Sequence, residues 1–133
     1  MFLDYYRVKK FQKPLLVSVP HSGTEIPEGS QSLEELRSLP REIQLRDVDL
    51  FVDELFNFVP SLDIPMLATR VSRYVIDLNR GPMEIDADSV AGEKNPPASF
   101  RRGLIWQITT RGEKLINAPL SRDDFKERFN NYY

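Results

Sequence analysis

Three clusters of side chains in this sequence could do chemistry. The first is His21, the one histidine among 133 residues. It follows Leu15–Val19, a nearly continuous apolar run closed by Pro20. Such a run reads as a strand buried on both faces, as in a parallel sheet under helices. Open α/β sheets bind ligands at the carboxyl ends of their strands. A neutral imidazole there can bind a metal or move a proton; it can also simply cap a turn, the commoner outcome for a loop histidine. The second cluster is Asp47 and Asp49, which offer hard oxygen ligands to a metal near His21, or else cap the helix that follows them. Glu25, four residues beyond His21, is a rival oxygen donor, with a solvated loop acid as the preferred reading. The third cluster is Arg73, Asp77, Asn79 and Arg80, four polar groups within eight residues. An arginine fork matches a carboxylate bidentately, an asparagine amide can donate to the same anion, and Asp77 could hold an arginine in place. An edge strand with a solvated face and an internal Asp–Arg pair would account for the pattern equally well. Ser22 does not read as a hydrolase nucleophile, because position 20 is Pro and the G-x-S-x-G elbow is missing.

These residues need elements to position them. Ser32-Leu33-Glu34-Glu35 matches a capping box, with Ser32 as N-cap and Glu35 at N3, and Pro40 ends the short helix. Val48, Val52, Leu55 and Val59 form one apolar stripe, predicting a longer helix from about Asp47 to Val59. Ile64–Thr69 reads as a second strand. Arg73–Leu78 reads as a third, with Arg73, Val75, Asp77 and Asn79 on one face and Tyr74, Ile76 and Leu78 on the other. Gly81–Gly103 lacks periodicity and holds Pro82, Pro96 and Pro97; a stretch of that kind is a functional loop or a disordered segment. Leu104–Thr109, a turn over 110–113 and Lys114–Asn117 predict a hairpin. Ser121 predicts an N-cap, with Asp123 and Asp124 in the first turn of a helix carrying Phe125, Phe129 and Tyr132. Strands alternating with helices in this way favour a layered α/β fold.

Length and composition bound the rest. At about 150 residues per domain, residues 1–133 form a single domain. Lys and Arg total 18 against 20 Asp and Glu, a net charge of −2, which argues against a nucleic-acid module built on a basic field. The absence of cysteine excludes disulfides, thiolate metal sites and a cysteine nucleophile. No segment approaches the roughly 20 apolar residues of a membrane helix. Met1–Lys13 carries Asp4, Arg7, Lys9 and Lys10 and does not read as a signal peptide, so the expected location is the cytoplasm.

Leu16-Val17-Ser18-Val19-Pro20-His21-Ser22-Gly23 and Ser72-Arg73-Tyr74-Val75-Ile76-Asp77-Leu78-Asn79-Arg80 closely resemble the N-formylglutamate amidohydrolase family. Asp47-Val48-Asp49 lies between them as that family's Asp motif does. Gly103-Leu104-Ile105, Thr110 and Gly112 resemble its following hairpin. The resemblance covers about residues 14 to 133. It implies a three-layer α/β/α mixed sheet of phosphorylase/hydrolase-like type, akin to zinc carboxypeptidases. It also implies a metal-dependent hydrolase that cleaves the amide of N-formyl-L-glutamate, or a similar N-acyl amino acid, in histidine breakdown. On that basis His21 is a zinc ligand, and Asp49 is the carboxylate ligand with Asp47 as the alternative. Asn79 and Arg80 grip a substrate carboxylate, Arg73 assists, and Asp77 orients. The cofactor would be one zinc ion and the partner a small molecule, with the oligomeric state open.

This sequence lacks the second His-bearing motif of its relatives, so the third ligand and the general base are assigned to no residue present. Two expectations follow: the chain is the first part of a longer enzyme, as the uncapped last helix also suggests, or it is a short non-catalytic relative that binds carboxylates or serves a structural role. A homo-oligomer completing the metal site is a third.

Overall fold

A computed structural model describes the backbone of residues 3–6 and all of residues 13–133. The elements in chain order are β1 (Leu3–Tyr6), β2 (Val17–Val19), α1 (Gln31–Ser38), α2 (Arg41–Gln44), α3 (Val52–Leu55), a 3₁₀ turn (Val59–Leu62), β3 (Met66–Thr69) and α4 (Arg122–Tyr132). The reading of Met1–Lys13 as lacking a signal peptide falls largely outside the described residues. The strands form one mixed sheet in the order β1-β3-β2. β2 runs parallel to β3, with Val17 opposite Met66 and Val19 opposite Ala68; β1 is antiparallel, with Leu3 opposite Thr69 and Tyr6 opposite Met66. Helices α1 to α3 lie in the crossover between the two parallel strands, the β-α-β connection that a parallel pair requires.

The expected strands at Leu15–Val19 and Ile64–Thr69 shorten to Val17–Val19 and Met66–Thr69. β2 is one edge of the sheet formed by the described strands and is not covered on both faces: Ser18 is exposed, and Leu15 and Leu16 just before the strand are half exposed. The core beneath the sheet joins Val19, Met66 and Ala68 of the strands to Val59 and Ile64 of the crossover.

The expected strand at Arg73–Leu78 is absent. Val75 N–H closes a turn on the Ser72 carbonyl at 2.9 Å, and the Ser72 hydroxyl accepts from Tyr74 N–H at 3.2 Å. Asp77 in turn accepts the Asn79 N–H at 2.9 Å. Short polar side chains thus capture the backbone donors that a ladder would have used. The predicted two-faced alternation fails with it, since Tyr74, Val75, Ile76 and Asp77 are all buried.

The expected helix over 47–59 breaks into a loop, α3 and the 3₁₀ turn. Phe51 adopts a left-handed conformation at φ 64°, which interrupts helical continuity. Of the predicted stripe, Val59 is buried but Leu55 is exposed. The N-cap position of α1 is Ser30 rather than Ser32, and the Ser30 side chain makes no capping hydrogen bond. The Ser32 hydroxyl is drawn instead to Asp124 and Arg128 of α4. Arg128 is fully buried and needs acceptors, which it finds in Ser32 and in the Val75 carbonyl at 3.1 Å. α4 itself is capped as expected, with the Ser121 hydroxyl accepting from Asp124 N–H at 3.1 Å.

The strands expected at Leu104–Thr109 and Lys114–Asn117 are absent, and the predicted hairpin is reduced to a short bridged turn. Thr109 N–H meets the Glu113 carbonyl, Leu115 N–H meets the Gln107 carbonyl, and Ile108 and Lys114 form an antiparallel bridge. Residues 81–103 form an irregular loop organised by one buried carboxylate. Asp86 accepts from the backbone N–H of Asp88, Ser89 and Phe100 and from Gln107 Nε2 at 2.7 Å.

Candidate active site

His21 sits directly after the carboxyl end of β2, in a loop pressed against the segment leaving β3. Glu25 N–H donates to the Arg70 carbonyl, and Ser72 N–H donates to the Glu25 carbonyl. Gly23 makes this approach possible, since a Cβ there would lie 2.4 Å from Arg70 C and Val71 O. The same contact brings Ser72-Arg73-Tyr74 and Asp77 alongside His21.

The centre of the arrangement is Asp77, which is fully buried. Its Oδ1 accepts from His21 Nε2 at 2.7 Å and from Asn79 N–H at 2.9 Å. Its Oδ2 accepts from Arg73 Nη2 at 2.9 Å and from Trp106 Nε1 at 3.0 Å. Burial alone would raise the Asp77 pKa, but the bonds from His21, Asn79 and Arg73 outweigh it and hold the carboxyl well below its usual range. The carboxylate is therefore ionised and can only accept. His21 Nε2 therefore donates to it, and in an imidazole that carries its one ring proton on Nε2 the lone pair lies on the second ring nitrogen, Nδ1.

Nδ1 faces Asp49. The Asp49 Oδ2 lies 3.6 Å away, and the Asp49 N–H donates to the His21 carbonyl at 3.0 Å. The Asp49 side chain is 55% exposed whereas the imidazole is 9% exposed, so the pair opens outward from a buried base. A nitrogen lone pair and a carboxylate oxygen at this separation form a mixed N/O donor pair suited to a divalent cation. Among the described residues no third His, Asp or Glu joins them.

Asp47 is engaged elsewhere. Its carboxylate accepts from Tyr74 Oη at 2.6 Å, from Thr110 N–H at 3.1 Å and from the Thr110 hydroxyl. Burial would raise its pKa, yet the Thr110 and Tyr74 hydrogen bonds dominate and lower it. Burial and the same Asp47 bond push the Tyr74 phenol well above its ordinary value. Asp47 thus ties the His21–Asp49 loop to the hairpin. Arg73 also turns inward: beyond Asp77 it donates to the Asp47 carbonyl at 3.2 Å and lies 4.4 Å over the Trp106 ring.

Asn79 and Arg80 lie at the outer end of the same segment. Asn79 is exposed. Arg80 donates through Nε to the Arg102 carbonyl at 3.0 Å and through Nη1 to the Asn79 carbonyl at 2.8 Å. Because Asp77 Oδ1 accepts from both His21 Nε2 and the Asn79 backbone N–H, Asn79 is two hydrogen bonds from the imidazole, and Arg80 is one further away through the Asn79 carbonyl. Glu25 pairs with Arg70 at 3.8 Å, both sides being about half exposed, and is not brought to His21. The Ser22 hydroxyl is buried with no hydrogen-bond partner among the described residues.

The sequence profile of N-formylglutamate amidohydrolases matches residues 13–133, nearly the whole of this site and its scaffold. The chain belongs to the N-formylglutamate amidohydrolase family. It is 39% identical over 69 residues to an N-formylglutamate deformylase of Pseudomonas putida, a match covering 50% of this chain and 24% of that protein. It is 38% identical over 74 residues to the N-formylglutamate deformylase of Pseudomonas aeruginosa, covering 54% and 26%. The crystal structure of N-formylglutamate amidohydrolase from Ralstonia eutropha JMP134 superimposes with a TM-score of 0.75 at 24% identity, over 98% of this chain and 46% of that one. That likeness shows the fold. The aligned region is thus about a quarter of each curated relative and under half of the solved amidohydrolase.

Within this amidohydrolase fold, sequence reasoning missed Trp106, Tyr74 and Thr110. Trp106 and Tyr74 are core aromatics: both are buried, with ring centroids 5.8 Å apart. Their polar tips carry the second role, and the available signal is that a buried Trp or Tyr nearly always finds a partner for its N–H or O–H.

Proposed function

We propose that this chain carries part of the catalytic site of a metal-dependent amidohydrolase acting on N-formyl-L-glutamate or a similar N-acyl amino acid, on a three-layer α/β/α scaffold. The observation that carries the reading is the line Asp77–His21–Asp49. A histidine that donates its far nitrogen to a carboxylate is the recurring arrangement of a metal-ligating imidazole. His21 and Asp49 would hold one zinc ion. When bound, the metal would supply Lewis-acid polarisation of the amide carbonyl and acidification of the attacking water.

The residues of this chain do the rest by placement. Asp77 sets the His21 tautomer. Asn79 and Arg80 receive the substrate carboxylate, with the arginine fork as the charged partner and the amide as a directional donor. Hydrolysis puts the water oxygen on the formyl carbon and protons on the departing amine, yielding formate and glutamate. The third protein ligand usual at catalytic zinc and the general base would lie outside the described residues. The family resemblance carries with it a place in histidine breakdown in the cytoplasm.

The test is zinc binding by calorimetry, followed by N-formyl-L-glutamate binding by NMR. One zinc per chain, lost in His21→Ala, and ligand shifts lost in Arg80→Ala are expected. A chain that takes up no zinc, or binds it unchanged without His21, would refute the metal site. A second reading, a non-catalytic carboxylate-binding module, is favoured by the lack of a three-donor group among the described residues. It predicts ligand binding that persists in full when zinc is removed.

A further inference from the structure

Asp77 is shared by four donors, but they are not equivalent. His21 Nε2 and Asn79 N–H share Oδ1; Arg73 Nη2 and Trp106 Nε1–H share Oδ2. Both pairs constrain where the carboxylate plane points, and the second does so from the side away from His21. Arg73 is an unbranched chain with several rotors, whereas Trp106 is a rigid ring, 3% exposed, packed against Tyr74 and covered on one face by the Arg73 guanidinium at 4.4 Å. Its N–H is therefore the stiffest of the donors on Oδ2. Trp106 arrives from the hairpin, 29 residues from Asp77 in sequence, and touches neither Asp49 nor His21 through any hydrogen bond.

From this geometry we infer that Trp106 is a positioning residue: its indole N–H locks the Asp77 carboxylate so that His21 is held as the Nε2–H tautomer, with Nδ1 aimed at the metal position beside Asp49. This rests on the metal-site reading above. Outer hydrogen-bond partners of a ligating histidine commonly change metal affinity about 10- to 100-fold when removed, and Trp106 stands one carboxylate further out.

The chain has one histidine and one tryptophan, so nitrogen-15 NMR reads the His21 tautomer and the Trp106 indole without ambiguity. The comparison is wild type, Trp106→Phe, and Gln107→Leu. The Phe variant keeps an aromatic ring against Tyr74 and Arg73 but loses the N–H along with part of the indole's volume. The Leu variant removes a 2.7 Å donor from a different buried carboxylate, Asp86, and so controls for general loosening. The expected result is the Nε2–H tautomer in wild type and Gln107→Leu, a tautomer mixture in Trp106→Phe, and zinc affinity in Trp106→Phe lowered by about tenfold. The wild-type indole cross-peak should also move on saturation with zinc chloride, a readout that survives if Trp106→Phe does not fold. The inference is overturned if Trp106→Phe keeps the wild-type tautomer and affinity, if Gln107→Leu shifts both equally, or if zinc that demonstrably binds leaves the indole cross-peak in place. A wild-type chain that binds no zinc, yet loses its tautomer in Trp106→Phe, would refute the metal reading and leave the positioning role standing.

Discussion

Replacing Asp77 by Asn tests the site at its centre, because it changes charge and hydrogen-bond sense while preserving shape. The carboxylate accepts two hydrogen bonds on each oxygen. An amide keeps one oxygen and replaces the other with NH₂. If the NH₂ faced Arg73 and Trp106, a buried guanidinium donor and a buried indole would both be unpaired. If it faced His21 and Asn79, only the Asn79 N–H would be unpaired, since His21 can switch tautomer and accept at Nε2. The second orientation wins. Its cost is one part-buried donor left unsatisfied, at the lower end of about 1–3 kcal/mol, plus about 1 kcal/mol for weakening a charge-assisted bond to Arg73 into a neutral one. The sum, about 2 kcal/mol, corresponds to a fall in Tm of roughly 6–8 °C for a domain this size. The tautomer change is the sharper consequence: Nδ1 becomes a donor towards Asp49 and the lone pair no longer faces the metal position. Calorimetric titration with zinc should then show affinity reduced by about 10- to 100-fold, alongside the Nδ1–H tautomer by NMR. An Asn variant that folds, retains the Nε2–H tautomer and binds zinc as wild type does would refute the reasoning.

Asp49→Ala should abolish most zinc binding while changing stability by less than about 0.5 kcal/mol, because the side chain is 55% exposed; urea unfolding alongside calorimetry checks both halves. Tyr74→Phe removes the 2.6 Å donor to Asp47 and should cost about 1–2 kcal/mol, read as a lower urea midpoint with unchanged slope. Gly23→Ala forces a Cβ to within 2.4 Å of backbone atoms, so it should displace the His21 loop and lose zinc binding; an unperturbed zinc isotherm would count against the close approach. Stability should depend on pH from both sides. Asp47 and Asp77 have folded pKa values below their unfolded ones, so their contribution is present above about pH 4 and is lost as pH falls. Tyr74 is raised, so its contribution is present below about pH 10 and is lost above it. A urea midpoint that stays flat from pH 7 down to pH 3 would contradict the acid limb.

Local signals were legible wherever they were self-contained. Ser121 and the two following aspartates specify an N-terminus through contacts within one turn, and α4 begins there. The strand at 66–69 and the turn at 110–113 are likewise encoded by adjacent residues. Signals failed where a distant partner competed. The Ser32 capping box lost to the buried Arg128, 96 residues away. The alternation at 73–78 was overridden by Ser72 and Asp77 side chains, which pair with their own backbone. The Asp47–Val59 stripe was cut where Asp49 bonds to the His21 loop and Phe51 turns left-handed.

Much of the site, but not Tyr74, Trp106 and Thr110, was readable in the sequence: one imidazole after a strand, an acidic pair, and an Arg-Asp-Asn-Arg run. Their order alone carries the family resemblance. Which of them face one another was decided only by folding, because hydrogen-bond geometry depends on separations that chain spacing does not encode. His21 and Asp77 are 56 residues apart and 2.7 Å in contact. Tertiary structure also divided the aspartates, leaving Asp49 exposed beside the imidazole while Tyr74 and Thr110 drew Asp47 away. Finally it gave a buried tryptophan a polar task, because an indole N–H taken out of water must find an acceptor, and the acceptor it found is the carboxylate behind the histidine.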